Sequence, residues 1–575
     1  MLDISTGPVR LWSSFVVVAI VVSLFAARLV QLQGVDAGSY AAIAAKKDTN
    51  SVVLEAPRGT IYDRNGTPLA QTVDASMITA NPRYTSAHAP EIATFLHNRL
   101  GVDYFTTLDL LRKQHTLYVR VARHIDPTVA KAVVQQLNDR NLPGLYVDKD
   151  NLRRYAGDVA ANVIGVVGAD GAGLGGLEYS LNKTLSGRNG SATFQVIGGQ
   201  QLPLADHTVI KPQLGTSVRL TIDKDLQYLA QQRVARAVED VHATSGSVVI
   251  QDVRTGQLLA LADYPSFNPN HVDRAKKANL GSRAAQDPYE PGSVEKVLTF
   301  SALIDSGAVT PRTKIVVPPS LVIDNRPIRD YFAHGTLHLT AAGVIAKSSN
   351  LGTVQAARQL PKRTLYRYLR KFGLGQRPGI ELAGVTAGIL HGSSHWSDVN
   401  RATISYGQGV SVSAVQMAAA LGTVANGGVY VSPSLITATI DGSGMPTPAK
   451  APAEHRAIKR STATQVTHMM EAVTGPGGTA PAAAIPGYRV AGKTGTANRV
   501  DPACACYRGY TVSFGGFAPA DKPRFVVYVV IQDPQGEAGG GITAGPVFHD
   551  LMVAALAKYG VAPTGSKSPA LPLSW

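Results

Sequence analysis

The chain has 575 residues, too many for one hydrophobic core, so two or more globular units are expected. Its composition is that of an ordinary globular protein, enriched in Ala and Gly. The formal net charge of +15 suits an anionic surface or acidic partner as well as simple solubility. The basic residues form no long run, and no zinc-finger, RNA-binding or basic-leucine pattern occurs, which argues against nucleic acid as a partner.

Leu11 to Ala27 carries no charge and is apolar except at Ser13, Ser14 and Ser23, with Arg10 before it and Arg28 after. Roughly 17 residues at about 1.5 Å each span about 26 Å, the lower edge of a bilayer core, and Leu29 to Leu32 extend the run. That is long for a cleaved signal peptide, and no clear small-x-small cleavage site follows. Residues 11–33 are therefore expected to remain as a single-pass signal anchor behind a short cytoplasmic tail of residues 1–10. Charge alone does not orient it, because Lys46 and Lys47 also lie just beyond the span.

Residues 34–225 read as a separate unit. In Arg58-Gly59-Thr60-Ile61-Tyr62-Asp63-Arg64-Asn65-Gly66-Thr67-Pro68-Leu69-Ala70, the Asn65-Gly66 pair predicts a tight hairpin turn between short strands. The glycine-rich run Gly165 to Gly176 has no strand–turn–helix order around it, so a flexible surface loop is expected, not a phosphate cradle. Glu178-Tyr179-Ser180-Leu181-Asn182 follows.

Residues 226–560 mix helices and strands in a second unit. Val218 to Asp223 alternates as a strand, and a helix through Gln227, Ala230 and Val234 comes next. Ser247 to Asp252 and Gln257 to Ala262 predict a hairpin around Thr255-Gly256. Asp441 to Pro452 reads as a loop, and Arg489 to Ala491, Thr511 to Phe517 and Phe525 to Gln532 as strands of an antiparallel sheet. Residues 561–575 have too little apolar content to pack and are expected to be disordered.

The chemistry is concentrated in this second unit. In Tyr289-Glu290-Pro291-Gly292-Ser293-Val294-Glu295-Lys296, a Pro-Gly turn precedes apolar residues at near-helical spacing. Ser293 thus falls at the start of a buried helix with Lys296 on the same face. A serine hydroxyl needs a base to become a nucleophile, and a lysine serves if burial and nearby cations lower its pKa. Ser-x-x-Lys by itself is weak, since Ser180 and Lys183 have the same spacing. The order in which Ser348-Ser349-Asn350 and then Lys493-Thr494-Gly495-Thr496 follow Ser293 is a far stronger signal.

Gly487 to Thr494 also satisfies the P-loop pattern letter for letter. A P-loop needs a strand before it and a helix after it, whereas here Pro481-Ala482-Ala483-Ala484-Ile485-Pro486 precedes and Gly495 follows at once. The two cysteines, Cys504 and Cys506, lack neighbouring histidines for a zinc site, and a bridge at that spacing would be strained. Free or reversibly paired surface thiols with no catalytic part are expected. No metal or cofactor is called for.

With the motifs in this order, the chain resembles a class B penicillin-binding protein, a monofunctional peptidoglycan D,D-transpeptidase of the division and elongation type. The resemblance extends from the anchor through Arg58 to Ala70, Gly175 to Glu178 and Leu220 to Asp223 to the three catalytic motifs, and Tyr406-Gly407-Gln408-Gly409 is similar to a family stretch ahead of the third. It implies an α/β fold of the α+β type: an anchor, a mainly β non-catalytic pedestal of the dimerisation type, and a transpeptidase domain with helices around an antiparallel sheet. It also implies a bacterial plasma-membrane location with the catalytic domain outside. Ser293 would be the acylated nucleophile and Lys296 its base. Ser348 would relay a proton, Asn350 would hold the substrate backbone, and Lys493 would supply charge from a strand at the cleft border where it stays solvated. Thr494, Gly495 and Thr496 would bind the donor carboxylate. Stem peptides, β-lactams and other cell-wall synthesis proteins, such as a lipid-linked glycan polymerase, are the implied partners. A class A β-lactamase would need its Glu-x-x-Leu-Asn element between the second and third motifs, but Glu178 to Asn182 precedes Ser293. A non-turnover drug sensor would have less reason to keep all three motifs intact.

Overall fold

The computed structural model describes residues 7–35, 49–197, 200–201, 208–501 and 503–575. These fall into two compact units. The first comprises the residues up to Pro57 together with Gly187–Leu214. Its helix Gly7–Val30 runs on into a π-helical turn, Gln31–Val35. Leu11–Gly34 is long and apolar enough to cross a membrane, and none of it is buried. An uncovered apolar surface of this length is stable in hydrocarbon and not in water, so the helix has the physical character of a membrane-inserting segment. The rest of the unit is a small antiparallel sheet in which Gly190–Ile197 pairs with Thr49–Leu54 and Thr208–Ile210.

The second unit comprises Arg58–Ser186 and Gly215–Trp575. Its N-terminal part, the pedestal, is built on the long strand Pro68–Ala80, which pairs antiparallel with Val119–Ile125 and Leu145–Tyr155. Helices Ala89–Leu100 and Pro127–Asp139 cover this sheet, burying Ile92, Leu96, Val133 and Leu137 in a core of their own. Arg58 explains much of the local sequence. Its Nε donates to the buried Glu178 carboxylate at 2.5 Å and its Nη1 to Asn182 Oδ1 at 2.8 Å, while Arg153 Nε donates to the other Glu178 oxygen at 2.8 Å. Glu178 and Asn182 therefore serve the pedestal. Ser180, the chance match to the nucleophile motif, spends its hydroxyl on Gly176 O at 3.1 Å.

Three expectations need correction here. The run Gly165 to Gly176 packs tightly on itself: Gly165 sits at φ +79°, and a Cβ there would lie 1.9 Å from Gly175 O. The glycines allow backbone contact, not flexibility. Asp441 to Pro452 is not all loop, because Ile436–Ile440 and Pro446–Pro448 form a hairpin. That hairpin adds to Ser217–Leu220 and through it to Ile61–Tyr62, so one sheet joins residues on both sides of the expected border at 225. Finally, the end of the tail is held in place. Ser574 bridges to Leu339, Thr340 N–H donates to Leu573 O at 3.1 Å, and Lys314 lies over the Trp575 ring at 4.5 Å. Backbone pairing to an open strand edge plus one aromatic anchor does not require an apolar-rich sequence.

The catalytic part is organised by a five-stranded antiparallel sheet: β1 (Ser245–Asp252), β2 (Leu258–Tyr264), β3 (Ala491–Asp501), β4 (Cys506–Ala518) and β5 (Phe525–Gln532), in the order β2-β1-β5-β4-β3. The unbroken apolar run of β5 fits a strand covered on both faces. A Cβ on Gly515 would meet Leu421 of helix Ala414–Ala425, whereas one on the next residue, Gly516, would meet Phe548 of helix Gly545–Lys558. Successive residues point to opposite faces, so these two helices cover opposite sides. β3 is left as an edge.

Candidate active site

Four segments converge on the β3 edge. The Ser293 segment is a single 3₁₀ turn, Gly292–Val294, which passes through Glu295 into helix α1 (Lys296–Asp305). Gly292 makes the turn possible: its φ is +55°, and a Cβ there would lie 2.6 Å from Thr496 O on β3. The nucleophile turn thus touches the strand backbone to backbone. Helix α2 (Ala341–Lys347), capped by Thr340, delivers Ser348 at its C-terminus in the left-handed region, φ +60°. A serine held there is strained and must be fixed by its surroundings. Helix α3 (Asn350–Ala357) starts at once, with Ser349 capping it through Gly352 N–H. The fourth segment, Tyr406 to Gly409, donates no side chain to the lysines, but Gly407 O accepts from Gly292 N–H at 2.9 Å.

Ser348 stands between two fully buried lysines. Lys296 Nζ donates to Ser348 O at 2.5 Å and to Asn350 Oδ1 at 2.7 Å, with Ser348 Oγ at 3.5 Å. Lys493 Nζ donates to Ser348 Oγ at 2.8 Å and to Thr494 O at 3.1 Å. Burial pushes Lys296 down to about 7, against the pull of the Asp330 and Glu295 carboxylates. Burial, and secondly the Lys296 charge, pushes Lys493 well below the ordinary lysine range. Glu295, also buried, is driven well above the usual carboxyl range by desolvation.

The reading of Lys493 as a solvated cation is therefore wrong. The pleat explains why: Lys493, Gly495 and Ala497 share the buried face of β3, while Thr494 is half-buried and Thr496 exposed on the other. Ser293, half-buried, opens with Ser348, Asn350, Thr494 and Thr496 onto a cleft of about 490 Å³. All the expected site residues lie in or directly behind this cleft.

Other residues gather at the same place without a motif to announce them. Tyr331 and Phe332 line the cleft, and Thr479 Oγ1 lies 3.0 Å from Thr494 Oγ1. Glu290 Oε1 accepts from Gly409 N–H at 2.8 Å and from Tyr507 O–H at 3.0 Å. Single Thr, Glu or Tyr residues carry no spacing signal, and only the Tyr406 to Gly409 stretch was open to notice. Of the two expected states of the cysteines, the paired one is found: Cys504 and Cys506 are joined in a disulfide where β3 turns into β4, with Cα atoms 5.1 Å apart. The tight turn, with Ala505 at φ +49°, brings two residues of that spacing within bonding range.

A hydroxyl at a helix start, backed by two buried amines whose pKa values burial lowers, is the equipment of a serine acyltransferase. Residues 246–553 match the penicillin-binding protein transpeptidase domain, and residues 53–220 match the penicillin-binding protein dimerisation domain. The chain belongs to the penicillin-binding proteins, and within them to class B. Penicillin-binding protein PbpB of Mycolicibacterium smegmatis is 35% identical over 593 aligned positions, covering 96% of this chain and 91% of that one. Peptidoglycan D,D-transpeptidase FtsI of Escherichia coli is 33% identical over 89% of this chain and 86% of its own. Among solved structures, penicillin-binding protein 3 of Mycobacterium tuberculosis in complex with aztreonam superposes with a TM-score of 0.71 at 31% identity, covering 91% of this chain and all of that one.

Proposed function

We propose that Ser293 is the nucleophile through which this chain acts as a peptidoglycan D,D-transpeptidase, with Lys296 as its base and Ser348 as the proton relay. The observation that carries the reading is the Ser348 hydroxyl shared between two buried lysines beside the Ser293 turn. Ser293 Oγ attacks the penultimate D-alanine carbonyl of a stem peptide while its proton passes to neutral Lys296. The proton then moves through Ser348 to the leaving nitrogen, the C–N bond breaks and D-alanine departs. An amine of a second stem peptide attacks the ester, gives its proton back along the same path, and restores the Ser293 hydroxyl as the cross-link forms. A β-lactam enters at the first step and stays as an acyl-enzyme.

Asn350 accepts from Lys296 and donates to Arg329 O at 3.1 Å, which leaves it fixed at the cleft where a substrate amide would lie. Thr494 and Thr496, with Gly495 between them, face the cleft from the open side of the edge strand, suited to the donor carboxylate. The backbone N–H groups of Ser293 and Thr496 would form the oxyanion hole, a contribution of roughly 3–4 kcal/mol per donor in acyl-transfer sites. The anchor helix crosses the plasma membrane once, with the catalytic domain on the outer side where peptidoglycan is built. A lipid-linked glycan polymerase is the partner class this arrangement suits. The test is Ser293→Ala: covalent labelling by a fluorescent penicillin should vanish while the thermal unfolding transition is retained. Continued labelling, or label recovered on Ser180, would reject the assignment.

A further inference from the structure

The segment Arg329 to His334 runs behind the Ser348–Ser349–Asn350 turn, and the chemistry above gives its carboxylate no task. The Asp330 side chain is fully buried. Ser349 Oγ–H donates to its Oδ2 at 2.6 Å, Leu351 N–H donates to its Oδ1 at 2.9 Å, and His334 Nε2 lies 3.0 Å from Oδ2. These contacts bracket Asn350 on both sides, and Asn350 Nδ2–H donates to the carbonyl of the preceding Arg329. The residue that receives the Lys296 ammonium is thus tied at its side chain and both neighbours to one short segment.

The charges around this turn are few. From the start of α1 comes Lys296, and from the residue before it Glu295, whose pKa burial drives upward. From β3 comes Lys493. From the segment itself come Asp330 and its neighbour His334. Asp330 is the carboxylate among them held by two hydrogen-bond donors, Ser349 Oγ–H and Leu351 N–H, and its charge pulls the Lys296 pKa upward. A buried carboxylate needs such compensation to persist.

We infer that Asp330 is a positioning residue of the acylation site: it locks the Ser348–Ser349–Asn350 turn and serves as the fixed counter-charge of the buried lysine pair. In the free enzyme its charge favours retention of a proton on Lys296, and so governs the pH at which the base becomes available. This inference rests on Lys296 being the base.

The experiment is the second-order rate of labelling by a fluorescent penicillin, followed from about pH 5.5 to about pH 9, for the full-length chain and two variants. Asp330→Asn keeps an oxygen for Leu351 N–H and removes the charge. Its rate should rise at lower pH than in the parent, with the midpoint displaced by about half a unit or more. Ser349→Ala loses the hydroxyl bond but keeps the carboxylate, so its plateau rate should fall several-fold at the parent's midpoint. A parent midpoint in Asp330→Asn would overturn the counter-charge. A displaced midpoint in Ser349→Ala would overturn it too, since loosening of the turn alone would then move the titration. Should Asp330→Asn prove unfolded by circular dichroism, Ser349→Ala carries the test, and a parent plateau rate there would overturn the positioning role. If the parent itself fails to label at Ser293, it is the underlying reading that falls; normal labelling with an unmoved midpoint removes only the role of Asp330.

Discussion

At the scale of single residues, the site is governed by burial acting on like charges. Lys296 is held at about 7 by desolvation. A lysine accepts a proton only when neutral, so with a lowered pKa the reactive fraction grows as pH rises through that value. The acylation rate of the parent enzyme is therefore expected to climb across neutrality with a midpoint near 7 and to level off above it. A profile flat from pH 6 to pH 8 would contradict the base assignment, because titration must show within about a unit either side of the midpoint. Lys296→Arg keeps the charge but cannot deprotonate in this range, so it should cost about 10² to 10⁴ in rate or more. A solvated Lys493 would tolerate arginine. The buried one donates to Ser348 Oγ and Thr494 O in a fully enclosed slot, and a larger planar guanidinium cannot reproduce that geometry. Lys493→Arg is accordingly expected to lose most of its acylation as well, through misplacement of Ser348. Parent-like labelling in that variant would show that the slot yields.

Elements decide how close these residues come. The Gly292 turn rests on β3 with no room for a Cβ, which would lie 2.6 Å from Thr496 O, and its φ of +55° is disfavoured for any other residue. Gly292→Ala should therefore displace Ser293 from the strand, reduce labelling by at least an order of magnitude, and lower stability by about 1–3 kcal/mol, read by denaturant unfolding. The disulfide at the β3–β4 turn closes a loop of three residues. Chain-entropy reasoning assigns so short a loop about 1.6 kcal/mol. The Cys504→Ser, Cys506→Ser double variant should thus label at close to the parent rate, and a loss beyond tenfold would mean that the bridge holds Tyr507 and Glu290 in the site. The order of the three motifs was legible because each couples a side-chain type to a fixed short spacing. Residues such as Thr479 and Asp330 were not, because they come from separate loops and carry no periodic pattern, and Glu290, although only three residues before Ser293, has no spacing rule to mark it. The burial of Lys493 was legible in principle. Alternation along Lys493, Gly495 and Ala497 sets one face of the strand, but only the tertiary structure reveals which face is covered.

Across the whole molecule, sequence composition marked the anchor, and strand patterns marked the β5 core run almost to the residue, because both are local properties. The border read at 225 falls between the two matched domains, but the sheet that joins the parts across it was not legible. The sheet through Ile61–Tyr62, Ser217–Leu220 and Ile436–Ile440 pairs segments far apart in sequence, and no local signal announces such pairing. The same long-range construction bears on what can be removed. The large apolar core runs from Ile61 to Leu556 and includes no anchor residue. The helix Leu11–Gly34, by contrast, exposes its whole apolar surface. Deleting residues 1–33 should therefore remove the cause of membrane association and leave the core intact. The full-length chain is expected to pellet with membranes and to resist extraction by high salt or alkaline carbonate, since apolar insertion is not screened by ions. The truncated chain should stay in the supernatant and label with a fluorescent penicillin within about a factor of two of the detergent-solubilised parent, since the deleted residues contribute none of the core's buried side chains. Release of the full-length chain by carbonate would reject the anchor. A truncated chain that is soluble but does not label would show that the N-terminal residues support the catalytic core, in conflict with a core that contains none of them.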